Sequence, residues 1–134
     1  MPKQSVEDRL VSLEQQLADL RARVVEASEF RLVDKDGRVR GALTLTRDGP
    51  ALILFDRDGQ SRAEFIAGRE GPGLTFADAK GLSRLWLGVT KNSPRLGMAD
   101  DQGRNRVHLS AQKAGATLRF YDADQNSLWS APKP

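Results

Sequence analysis

The chain has 134 residues, enough for one domain and too few for two independent cores. Hydrophobic residues make up 39% and charged residues 29%, which is lean for a compact monomer and suits an elongated protein, or one that builds its core from several chains. The chain contains no cysteine, which removes disulfides, thiolate metal sites and cysteine nucleophiles, and its net charge of +3, interspersed with Asp, is no nucleic-acid footprint.

The first ten residues, MPKQSVEDRL, lack the apolar run of a signal peptide, and no later run approaches the length of a membrane span. The expectation is a protein without membrane insertion, either cytoplasmic or part of a phage-like particle. Residues 5–27 then read as one helix. Val6, Leu10, Leu13, Leu17, Leu20, Val24 and Ala27 are spaced alternately by four and three, a heptad seam with Leu10, Leu17 and Val24 at a and the others at d. Ser5 with Asp8 three residues on gives a start signal. A seam only two positions in seven wide fits partner helices better than the chain's own sheet, and an isolated helix of three heptads is marginal. The seam is therefore read as an oligomerisation helix.

From Phe30 the period changes from 3.5 to 2, and a 22-residue repeat begins. Asp34, Asp56, Asp78, Asp100 and Asp122 mark five copies over residues 30–129. Gly37, Gly59, Gly81 and Gly103 follow three residues after the first four, and Arg40, Arg62, Arg84 and Arg106 three later still. A second turn signal precedes proline at Gly49-Pro50, Gly71-Pro72 and Ser93-Pro94. Turns so spaced predict an antiparallel meander of nine short strands. Centring one turn on Asp58-Gly59 sets Leu54 opposite Ala63 and Leu52 opposite Phe65, and likewise Leu74 with Leu87 and Met98 with Val107. A three-residue loop would set Leu54 against Arg62, so an even loop is expected. Centring the other turn on Asp48-Gly49 sets Leu45 opposite Leu52.

This register gives one apolar face, with Leu54, Phe76, Met98 and Phe120 in one row and Leu43, Phe65, Leu87 and Leu109 in another. The opposite face carries Thr44, Glu64, Arg84, His108, Ser110 and Arg119. An apolar face needs a cover, and three chains meeting around an axis set by the helix give a homotrimeric β-prism. A closed meander barrel and a β-solenoid are the alternatives. Residues 130–134 are expected to form a loose tail.

Chemistry-bearing motifs are sparse. Counted from Asp34, the sixth and twelfth positions of a calcium loop fall on Val39 and Leu45, so the D-x-D-G strings read as turns. His108 is the single histidine, and no nucleophile, P-loop or dinucleotide motif is present. The chain is expected to be no enzyme and to need no cofactor or metal. The candidate binding patch is Ile66, Thr75, Trp86 and Ala99, read as one row on the polar face beside Gly73, Gly88 and Gly97. There Trp86 would stack on a glycan or a protein ligand, or lie flat over the glycines.

A coiled coil leading into Gly- and Asp-punctuated β repeats is similar to the trimeric fibres of phage tails and bacterial surface adhesins. The string L-x-L-x-D-x-x-G-x-x-R also resembles tandem β repeats of uncharacterised bacterial proteins. The resemblance implies a fibre-like homotrimer with a structural role and assigns no site residues. The expected function is a self-assembling scaffold or spacer, and the alternative is a binding module built around Trp86.

Overall fold

The computed structural model describes residues 5–20, 25–91 and 93–132. It comprises one helix, α1 (Val6–Leu20), and ten strands. These are β1 (Glu29–Val33), β2 (Val39–Leu45), β3 (Pro50–Phe55), β4 (Ser61–Gly68), β5 (Gly71–Ala77), β6 (Ser83–Thr90), β7 (Ser93–Ala99), β8 (Asn105–Gln112), β9 (Gly115–Tyr121) and β10 (Ser127–Ala131). All ten lie in one open antiparallel sheet in chain order. The sheet does not close on itself and its strands are not parallel, which excludes the barrel and the solenoid for this chain. Ten strands replace the nine expected. The additional hydrogen-bonded length includes Ser130 and Ala131, so these two residues belong to the sheet and not to the expected tail, whose residues 133–134 lie outside the described residues.

Helix α1 opens with a capping box. Ser5 Oγ accepts the Asp8 N–H at 3.1 Å, and Asp8 Oδ2 accepts the Ser5 N–H at 3.1 Å. Among the described residues α1 touches no strand, so its Val6, Leu10, Leu13 and Leu17 are exposed rather than laid on the sheet. Leu20 is the last residue of α1. Val24 and its neighbours at 21–23 lie outside the described residues. Val25, Glu26 and Ala27 are not helical, so the helix is shorter than 5–27. The β-branched Val25 is poor at continuing a helix.

The faces of the sheet follow the parity rule. One unbroken apolar row crosses all ten strands: Phe30, Leu43, Leu52, Phe65, Leu74, Leu87, Leu96, Leu109, Leu118 and Ala131. The neighbouring row holds Leu54, Ala63, Phe76, Leu85, Met98, Val107, Phe120 and Trp129 in turn. Phe120 and Trp129 meet in a tilted contact, 5.5 Å between ring centroids and 50° between planes.

Two local registers differ from expectation. The second loop centres one residue earlier, on Arg47-Asp48, so Leu43 rather than Leu45 faces Leu52 and Leu45 faces Pro50. The shift of two preserves the faces. At the Asp turns the loop does hold three residues, with the Asp56 N–H donating to Gln60 O across Arg57, Asp58 and Gly59. A bulge then takes up the odd residue. Phe55 pairs with Ser61 but Leu54 pairs with Ala63, leaving Arg62 extra. The same step occurs at Arg40, Arg84, Arg106 and Leu128.

Candidate functional site

The most regular arrangement of polar groups lies at the Asp turns. In each, one carboxylate oxygen, Oδ1, accepts the backbone N–H groups two and four residues on, at 2.8–3.1 Å. The glycine three residues on takes φ between +76° and +81° in four copies, and Gln125 takes +66° in the fifth. The second oxygen, Oδ2, meets the bulged arginine. Arg62 Nη1 lies 3.3 Å from Asp56 and Arg84 Nη1 lies 3.1 Å from Asp78. Arg106 Nε lies 3.2 Å from Asp100.

Each of these arginines also reaches forward. Arg62 Nε donates to Ala77 O at 2.8 Å, Arg84 Nε to Ala99 O at 2.9 Å and Arg106 Nη1 to Tyr121 O at 3.2 Å. Ala77 stands just beyond the last β4–β5 pair, Ala63 with Phe76. The bulge thus interrupts the ladder and the guanidinium replaces the missing donor. In the last copy Asn126 Nδ2 donates to Asp122 at 3.0 Å and Leu128 stands in the arginine position.

These contacts set the electrostatics. Asp34 and Asp56 lie below the ordinary carboxylate range, first through the N–H groups of Arg38 and Gln60 respectively. At Asp78 and Asp100 partial desolvation opposes the shift, and the N–H bonds with Arg84 or Arg104 outweigh it. Asp122 is lowered first by the Asn126 side chain. The arrangement braces hairpins. The Asp side chains are engaged by their own turns and the bulged arginines by their own Asp and a carbonyl of the next strand, and among the described residues no cluster of acids and histidines has metal-ligand spacing.

On the polar face the candidate patch does not form one row. Thr75 faces Trp86, but Ile66 faces Gly73 and Ala99 faces Asn105. The row containing Trp86 runs Ile53, Glu64, Thr75, Trp86, Gly97, His108, Arg119 and Ser130. The neighbouring row pairs Gly73 with Gly88 and then Arg95, not Gly97. Trp86 lies on Gly97, where a Cβ would run into the ring, so the indole occupies the space that a side chain there would fill. Of the two sequence expectations for Trp86, this is the one in which the ring lies flat over a glycine, although Gly97 stands in its own row and not in the neighbouring one. Burial lowers the pKa of His108, helped by Arg95 and Arg119 nearby.

The apolar face is the other candidate surface. Phe65 is 54% exposed, Leu87 50% and Leu54 45%. The buried side chains are small and sit on the opposite face: Ala42, Ala51 and Ser110, each flanked by larger neighbours on adjacent strands. Ser110 and Thr117 share a hydroxyl hydrogen bond at 2.9 Å. An open hollow of about 360 Å³ on the apolar face is lined by Phe65, Pro72, Leu74, Leu87, Val89 and Pro94. No family model matches the chain, and no curated protein is detectably related to it.

Proposed function

We propose that the chain is the protomer of a homotrimeric, fibre-like scaffold, assembled through the apolar face of its sheet and the seam of α1. The observation that carries this reading is the ten-strand apolar row left bare in the single chain. A single-layer sheet of this extent with Leu and Phe in water is an interaction surface, because soluble monomers rarely expose contiguous apolar patches beyond a few hundred Å². Three sheets turned inward around one axis cover those rows as a triangular β-prism, and the free helices at the start of each chain form a parallel coiled coil. The Asp turns and bulged arginines, engaged locally, serve the stiffness of the repeats.

Sedimentation equilibrium of the full chain tests the reading. A mass three times the 14.8 kDa of one chain is expected at micromolar concentration, and a stable 14.8 kDa species would overturn it.

A further inference from the structure

The meander has two margins with different charge. One margin holds the Asp turns, and the other holds the loops between β2 and β3, β4 and β5, β6 and β7, and β8 and β9. The loop tips begin with Arg47, Arg69, Lys91 and Lys113, again 22 residues apart. In the last two copies no acid accompanies the lysine at the tip, since Asn92 and Ala114 follow. At the opposite margin the last two turns present Asp101 and Asp124. None of Glu70, Lys80, Lys91, Asp101, Lys113 and Asp124 is in an ion pair among the described residues. Asp56 and Asp78, by contrast, each pair with one arginine, Asp100 pairs with both Arg104 and Arg106, and Asp122 meets Asn126.

We propose that these margins form a second contact between copies of the chain, the loop margin of one against the turn margin of the next. This rests on the trimeric reading above. Successive loops and turns alternate along the sheet at one strand spacing, about 4.8 Å. With each loop set against the turn that follows it in sequence, Glu70 meets Lys80, Lys91 meets Asp101 and Lys113 meets Asp124 of the next copy. Arg47 and Asp48 meet Asp58 and Arg57 in the same register. Setting each loop against the preceding turn instead keeps Lys113 on an acid, Asp101, but brings Lys91 onto Lys80, a like-charge clash, and leaves Asp124 without a facing lysine. The charges therefore select one register as well as one pair of margins.

The same charges select the symmetry. A two-fold contact between loop margins brings Lys91 and Lys113 against themselves, and one between turn margins does the same with Asp101 and Asp124. A cyclic contact between copies running in the same direction brings unlike margins together. That direction is the one a parallel coiled coil of α1 imposes.

The test is charge reversal on the full chain, read by the dissociation constant of the oligomer. Lys91→Glu with Lys113→Glu should raise it roughly a hundred-fold at low salt, since two weak exposed pairs recur at three contacts. Asp101→Lys with Asp124→Lys should do the same, and combining all four should restore most of the affinity. The neutral pair Lys91→Gln with Lys113→Gln should give a smaller loss, and circular dichroism checks that each variant keeps its β content. A trimer that ignores the reversals, or in which the four together are worse than either pair, overturns the margin contact and leaves the trimer standing. A wild-type chain that is monomeric overturns both.

Discussion

Glycine illustrates how position, not residue type, sets the consequence of a change. Gly59 has φ +81° with open space where a side chain would stand, so Gly59→Ala costs only the left-handed backbone, about 1 kcal/mol. Gly71 has φ +129°, and a Cβ there would collide with Val89 O. Gly71→Ala should therefore cost about 3 kcal/mol, and urea denaturation of the two variants checks the contrast. The turn aspartates give a pH dependence of definite sign. Their folded-state pKa values lie below the ordinary 3.8, so their contribution is complete above that value. It is lost as pH falls through the lowered values. His108 acts earlier on the scale. Its folded pKa lies below 6.5, so the unfolded chain takes up the proton first and stability begins to decline below that pH. A melting-temperature profile should show a shallow slope below 6.5, absent in His108→Gln, and a steep fall below 3.8.

Hairpins, helix and bulges show how far the sequence is legible at the scale of elements. The faces are readable because side chains alternate strictly with number, so Leu52 with Phe65 and Leu74 with Leu87 follow from one turn centre. The loop before each Pro reads one residue late, because Gly49 and Gly71 look like loop-tip residues. That single misplacement produces both the Leu45–Leu52 pairing and the row Ile66, Thr75, Trp86 and Ala99. The bulges escape because one extra residue leaves no mark in composition; their signal is the arginine recurring beside every Asp turn but the last. The end of the last strand is missed because Ser130 and Ala131 are weak strand formers, although Ala131 stands 22 residues after Leu109. Two element-level outcomes follow. Ser5→Ala should remove the capping box and cost the helix about 1 kcal/mol, read as lost helical dichroism. Trp86→Ala should cost about 2 kcal/mol by uncovering Gly97; unchanged stability would return Trp86 to the role of a free binding platform.

For the molecule as a whole, the order of burial in the single chain is the reverse of what its chemistry requires. Leu54 and Phe65 are exposed while Ile53 and Phe55, on the polar side, are half-buried, yet the pairing that separates the faces is as expected. An extended outward row of Leu and Phe marks an interaction surface. In the proposed assembly Phe65→Ala should cost roughly 3–5 kcal/mol per chain and Ile53→Ala much less, an ordering that chemical denaturation of the two variants measures.

Thiol protection addresses the covered face most directly, because the chain has no cysteine of its own. Met98 lies in the apolar row and is 43% exposed in the single chain, and Arg95 is exposed on the polar face. Labelling of Met98→Cys and Arg95→Cys under native conditions should find the thiol of the first variant protected and that of the second reacting freely. Equal and rapid reaction of both would show a bare apolar face in solution and contradict the assembly.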